Sequence, residues 1–261
     1  MEDQKKAPLF DSIKEYIKKD MSDYHTPGHK QGKGVSKELL ELFGENIFKA
    51  DLTEIPNIDN FYNADTVIKE SQELLAQAYG VDHSFFLING STVGNNVMIM
   101  SVCKPGDKII LPRNIHKSVI SAVLLSGAIP LYVPSVWDET LGISHGINIE
   151  VLEKTLEENP DARAVMIVNP TYFGTTIDLG KIVDLVHKYD SILLVDEAHG
   201  PHFHFHKDLP KSAVSFGADM VIQSAHKIIS AMSQSSWLHV NGNRVSVKRV
   251  KKQVDSFYDK P

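Results

Sequence analysis

From about residue 85 onward the chain alternates short β-rich runs with amphipathic stretches, and this alternation is what most narrows the folds open to it. Apolar runs at 85–88, 108–111, 131–133, 164–168, 192–195, 220–222 and 237–240 have the length and composition of strands. Between them, 92–102, 117–126, 149–158 and 179–189 carry apolar residues at three- and four-residue spacing, which predicts helices. Strands interleaved with helices predict an α/β fold: three layers, α/β/α, around a mostly parallel seven-stranded sheet. At 261 residues and 42% hydrophobic content the chain can bury one large core or two modest ones.

Ahead of this pattern, Leu9, Phe10, Ile13 and Ile17 mark one face of an N-terminal helix, and 51–63 is irregular with polar and aromatic residues. Neither segment is long enough to make a domain alone. The expected organisation is a helix and arm over 1–63, a main domain over 64–250 and a tail over 251–261.

A formal net charge of -6 argues against nucleic acid or an anionic membrane as the main partner, because both call for a basic face. A small molecule is the better expectation. The single cysteine, Cys103, rules out an internal disulfide framework and fits a reducing compartment; its place after the apolar run 97–102 predicts a packed core thiol. The polar start lacks the apolar stretch of a secretory signal, and no run approaches the roughly 20 apolar residues of a membrane span. A cytoplasmic location is expected.

In an open α/β sheet, ligands bind beyond the carboxyl ends of the strands, so the loops that follow strands carry the most information. The first strand leads into Asn89-Gly90-Ser91-Thr92 and then a helix. Glycine lets backbone approach an anion, and a helix N-terminus with two hydroxyls offers donors, so this is a candidate phosphate cup. A simple Ser or Thr N-cap is the plainer alternative. After the second strand, 112–118 places His116 at the same edge, either to stack on a planar ring and exchange protons or merely to cap a helix. Asn169 to Gly174 forms a further polar loop there, without assignable side-chain roles. The fifth strand ends at Asp196, followed by the small Ala198, and the sixth is followed by Ser224, Ala225, His226 and Lys227. A lysine amine condenses with an aldehyde, and a buried carboxylate holds a pyridine nitrogen protonated so that the ring accepts electrons. These two residue types are what pyridoxal phosphate requires, although a solvated lysine and a turn aspartate are commonplace singly.

Six ordered blocks then bear a resemblance. His25 to Lys30 (HTPGHK), Asp51 to Glu54 (DLTE), Asn89 to Thr92, Pro112 to Ser118, Asp196 to Gly200 (DEAHG) and Ser224 to Lys227 resemble the ornithine/lysine/arginine decarboxylases, over about residues 24–250. That family has the aspartate-aminotransferase-like fold of pyridoxal-phosphate enzymes. The resemblance implies that 64–250 is a cofactor-binding large domain and that Lys227 forms the internal aldimine. It further implies that Asp196 pairs with the pyridine nitrogen, that His116 and Ala198 pack on the two faces of the ring, and that Ser91, Thr92, Ser224 and His226 hold the phosphate. The implied reaction is decarboxylation of arginine, lysine or ornithine, a step in polyamine biosynthesis. Lys227 or His116 then reprotonates Cα. An aminotransferase or another reaction of the same fold is the alternative. Relatives assemble as dimers or larger homo-oligomers and continue into a C-terminal domain, which the resemblance leads one to expect is absent from this chain. Such an absence would expose apolar surface.

Two other chemistries compete. Asp196-Glu197-Ala198-His199 also spells a helicase-type Walker B box, but the nearest candidate for a phosphate loop, 28–34, has the wrong spacing, lacks the hydroxyl and follows no strand. His202, His204 and His206 alternate with Phe203 and Phe205, so in an extended segment they would share a face and could bind zinc or nickel. An exposed polar loop is the plainer expectation, and no metal is expected at the main site.

Overall fold

A computed structural model describes residues 4–19, 21 and 24–258, so 1–3 of the polar start and 259–261 of the tail lie outside the described residues. The chain divides into two compact units, one running to Ala78 and including Tyr258, the other Tyr79–Phe257.

In the first unit, α1 (Pro8–Lys18) has proline at its start and buries Tyr16. Leu9, Ile13 and Ile17 are half-buried beside Tyr16, but Phe10, expected on that face, is 60% exposed and lies under the Lys14 ammonium. At 100° per residue position 10 lies at the edge of the stripe formed by 9, 13, 16 and 17, just beyond Ile17. Two short helices follow, α2 (Lys37–Phe43) and α3 (Glu45–Ala50). His29 reaches Asp51 (Nε2 to Oδ2, 3.1 Å) and packs edge-on against Phe48. The irregular stretch after α3 is organised by Asp59. Its carboxylate accepts the backbone N–H groups of Asn60, Asp65, Thr66 and Ile68 and so caps α4 (Val67–Tyr79). Burial pushes that carboxyl up, but the four donors outweigh it and hold it below the usual range.

The second unit is built on nine strands: β1 (His83–Leu87), β2 (Lys108–Pro112), β3 (Ile129–Val133), β4 (Ser135–Asp138), β5 (Ile143–Ile147), β6 (Ala164–Val168), β7 (Ile192–Asp196), β8 (Met220–Gln223) and β9 (Ser236–Val240). Its helices are α5 (Gly90–Val102), α6 (Lys117–Ser126), α7 (Ile149–Glu158), α8 (Leu179–Lys188), α9 (Ala225–Ile228) and α10 (Val247–Ser256). Seven strands form one sheet in the order β1-β9-β8-β7-β6-β2-β3, mostly parallel, with β9 running antiparallel to both β1 and β8. Because β9 alone is reversed, the carboxyl ends of β1, β8, β7, β6, β2 and β3 open on one edge. α5 lies against β1, β7, β8 and β9 and packs on α6 and α10; α8 lies against β7 and α7 against β3. The central strand β7 is buried at every residue, as a parallel strand covered on both faces must be.

The expected strands and helices thus recur with shifts of at most two residues at their ends. The hairpin β4–β5, a separate two-stranded sheet, was not among them. Asp138 builds its turn by accepting the N–H groups of Thr140 and Leu141, with Gly142 at φ 65°. Nor were α4 and α10; the latter occupies a segment that reads as merely basic but buries Val250 and Val254, one turn apart. Cys103, just past α5, is buried as expected, and burial pushes its thiol up to about 12. No helix among the described residues is long and apolar enough to cross a membrane.

Helix α5 comes unusually close to the sheet at Gly94, where an added Cβ would fall 2.1 Å from Cδ1 and 2.5 Å from Cγ1 of Ile222 on β8. Gly94→Ala is therefore expected to destabilise the unit by about 1–3 kcal/mol through overpacking. The measurement is the urea unfolding midpoint, and adding Ile222→Val should recover part of the loss.

Candidate active site

A cleft of about 500 Å³ opens at the shared strand edge, and every residue lining it belongs to the second unit. Its lining includes Ser91, Thr92, His116, Asp196, Ala198, Ser224, His226 and Lys227, so each residue expected from the sequence at this site is brought to one place. The blocks 25–30 and 51–54 belong to the first unit.

One wall is the start of α5. Asn89 (φ 70°) and Gly90 (φ 70°) both take left-handed conformations to turn the chain out of β1 into the helix, and Asn89 makes no side-chain cap. Ser91 therefore is not the N-cap but lies in the first turn, where its Oγ meets Ser224 Oγ at 2.7 Å. A Cβ at Gly90 would stand 3.8 Å from His226 Cε1, so a larger side chain would grow into the space between them. His226 Nδ1 is 2.8 Å from the carbonyl oxygen of Ser235, to which it donates, leaving Nε2 as an acceptor or a second donor site. Uncapped helical N–H groups, two serine hydroxyls and an imidazole make a donor set that suits a phosphate.

The floor is Asp196, almost fully buried. Its Oδ1 accepts the Ala198 N–H at 3.1 Å and its Oδ2 accepts Asn95 Nδ2 at 3.0 Å. Asn95 is itself buried and donates also to Ser118 Oγ (2.9 Å), which lies 2.7 Å from His116 Nδ1. Ser118 N–H donates to the same nitrogen, so His116 caps α6 and lines the cleft at once. With Nδ1 accepting, the neutral ring carries its proton on Nε2. Asn95 was not singled out in the sequence; the signal available was a pair of amides, 95 and 96, inside an otherwise apolar helix one turn after Ser91.

At the mouth, Lys227 is exposed and its Nζ lies 3.1 Å from His199 Nε2. Tyr172, whose role the sequence left open, meets the His199 ring edge-on at 5.9 Å. Asn169 and Thr171 of the same loop face inward instead: Asn169 Oδ1 accepts the Ile177 N–H, and Thr171 pairs with Thr175.

Glu197 points away from the cleft, as the residue after Asp196 on a strand end must. It is completely buried and accepts from Ser212 Oγ (2.5 Å), Ala213 N (2.8 Å) and Gln223 Nε2 (2.7 Å). Gln223 Oε1 in turn receives His239 Nε2 (3.2 Å), whose Nδ1 receives Ser84 Oγ (2.8 Å). Donors all point toward the carboxyl group. Burial keeps His239 neutral, pushing it down to about 3.

The proposed metal alternative is overturned. Residues 203–205 form a 3₁₀ turn and not a strand, so the alternation that would align His202, His204 and His206 does not exist. His204 stacks on Tyr79, and no cluster suited to a metal ion occurs among the described residues.

The family "Orn/Lys/Arg decarboxylase, major domain" matches residues 7–258. An arginine decarboxylase of Bacillus anthracis is 48% identical over 247 residues, covering 95% of this chain and 50% of that protein. An arginine decarboxylase of Bacillus subtilis is 44% identical, with 95% and 50% covered. The solved structure of lysine decarboxylase A from Pseudomonas aeruginosa superposes with a TM-score of 0.87 at 25% identity, covering 97% of this chain and 38% of that one. The chain thus spans about half the length of the curated relatives it matches.

Burial raises the Glu197 carboxyl to about 7, against the pull of its three hydrogen bonds. An acid whose folded-state pKa lies above its unfolded value, near 4.5, contributes stability that is complete below that value and lost as pH rises through about 7. Relative to Glu197→Gln, the parent chain should lose on the order of 3 kcal/mol across this window. Urea titrations of both chains at several pH values measure the difference; a flat difference would mean that the carboxylate is ionised throughout.

Proposed function

Since the chain belongs to the Orn/Lys/Arg decarboxylase family, we propose that it binds pyridoxal phosphate in this cleft and removes the α-carboxylate of a basic amino acid, with arginine the first candidate. The observation that carries this reading is the meeting, in one cleft, of the Lys227 amine, the buried Asp196 carboxylate and the hydroxyl-lined start of α5. Relatives named arginine decarboxylase, at 44–48% identity, support the choice of substrate.

The cofactor supplies an aldehyde for amines to condense with and a conjugated ring into which the electrons of a breaking carbon–carbon bond can move. Around it, Ser91, Thr92, Ser224 and His226 hold the phosphate, with the α5 N-terminus contributing positive potential. Asp196 holds a proton on the ring nitrogen. Its orientation is fixed from both sides, by Ala198 N–H and by Asn95, so the carboxylate needs no rearrangement when it meets that nitrogen. His116 and Ala198 confine the ring faces. Lys227 supplies the amine, and Lys227 or His116 returns a proton to Cα. Product would be carbon dioxide and the corresponding amine, a step feeding polyamine biosynthesis.

Self-association belongs to the same proposal and is supported by α6, which leaves Ile120, Leu124 and Leu125 on its surface. So does a cytoplasmic setting, which suits a lone buried thiol.

Added pyridoxal phosphate should give the parent chain a visible absorbance band that Lys227→Ala lacks, and carbon dioxide release should be greatest with arginine among arginine, lysine and ornithine. Lys227→Ala should lower turnover by roughly 10²–10⁴-fold, and Asp196→Ala should lower it while the band still forms. Accumulation of the amine form of the cofactor without carbon dioxide would point to transamination instead.

A further inference from the structure

His199 has no place in the roles above, yet its Nε2 is the atom that meets Lys227 Nζ, at 3.1 Å. The contact follows from topology. β7 and β8 are parallel neighbours, so the segment after Asp196 and the start of α9 leave the sheet side by side. An ammonium has three donors and no acceptor, so Nε2 receives the hydrogen bond and the ring proton sits on Nδ1. Tyr172, from the loop after β6, meets the ring edge-on, centroids 5.9 Å apart and planes at 90°.

We propose that His199 is the proton acceptor of Lys227, taking a proton from the ammonium so that Nζ can present a lone pair to an aldehyde carbon. This rests on the pyridoxal-phosphate reading above. The atoms balance without an outside reagent. One proton passes from Nζ to Nε2; Nζ bonds the aldehyde carbon; the carbonyl oxygen takes one proton directly from Nζ and recovers the other from Nε2–H, then leaves as water. One hydrogen and the positive charge stay on nitrogen. The charged groups facing the imidazole are Lys227 and Asp196. Burial first, and then the Lys227 charge, push its pKa below the ordinary value while Asp196 opposes them, so the ring is neutral near pH 7 and its lone pair lies along the Nζ hydrogen bond.

The test uses the full chain, freed of cofactor and mixed with pyridoxal phosphate near neutral pH. Growth of the visible band is followed by stopped flow, and borohydride reduction with peptide mass mapping locates the attachment. Parent, His199→Gln and His199→Ala are compared, the last with and without added imidazole. Glutamine offers an oxygen to the Nζ hydrogen bond but takes no proton. Attachment at Lys227 slowed roughly 10²-fold or more in both variants, with imidazole accelerating the alanine variant, is the expected result. A glutamine variant as fast as the parent, or a slow alanine variant indifferent to imidazole, overturns the proton-accepting role while leaving the pyridoxal reading intact. Failure of the parent itself to attach cofactor at Lys227 overturns the underlying reading, and the role falls with it.

Discussion

The close seating of α5 on the sheet is the constraint from which the cleft follows. Gly94 removes the side chain that would collide with Ile222, and the helix then sinks far enough for the residues on either side of that glycine to reach across. One turn before, Ser91 touches Ser224 at the end of β8; in the next position, Asn95 touches Asp196 at the end of β7. Two hydrogen bonds between one helix and two strand ends therefore join the phosphate-type donors to the acid. A helix held a methyl group farther out would lose both, because hydrogen-bond energy falls off steeply beyond about 3.2 Å.

The two adjacent carboxylates show how a strand end divides labour. Side chains alternate across the sheet, so Asp196 faces the cleft while Glu197 faces the opposite interior. Asp196 keeps company with an amide and a backbone N–H at the edge of open space. Glu197 sits at the end of a directional chain that runs from Ser84 through His239 and Gln223. That chain also grips Gln223, the residue just before Ser224, so the rear network braces the same strand end that supplies the cleft's serine. Burying such a network is stabilising only when every member has its partner, which fixes the amide orientation of Gln223 and the tautomer of His239 together.

Much of this was legible in the sequence because its signals are local. Strands such as 164–168 and helices such as 117–126 and 149–158 are bounded by turn residues and carry uninterrupted periodicity, so their limits coincide with the observed ones. Loops after parallel strands share an edge by topology alone, which is why the sequence itself groups Ser91, His116, Asp196, Ser224 and Lys227. What escaped was set by neighbours distant in sequence. Asn95 looks like an awkward amide in an apolar helix until Asp196, on a strand 101 positions away, supplies its acceptor. Gln234 lines the cleft because β9 is reversed and so begins at the edge where its neighbours end, a topological fact without a local marker. The metal alternative at His202, His204 and His206 falls for the converse reason: alternation in sequence aligns side chains only on an extended backbone, and here the backbone coils.

Floor and rim of the cleft differ in kind. Asp196, Asn95, Ser224 and Ala198 are buried and cross-linked to one another or to backbone within this unit, so the groups suited to hold a planar electron sink are positioned by contacts the chain makes with itself. Lys227 and Tyr172 stand at the mouth, and their segments also expose Phe173, Ile228 and Met232. A polar, buried floor thus meets a partly apolar, exposed rim. The floor is built from strand ends and the start of α5, while at the rim Tyr172 and Phe173 sit on a loop that can vary without disturbing the sheet. His199 is the one side chain that belongs to both layers. It is carried on the segment leaving Asp196, half-buried beside Tyr172, and it touches the exposed amine, so it links the fixed interior to the amine at the mouth.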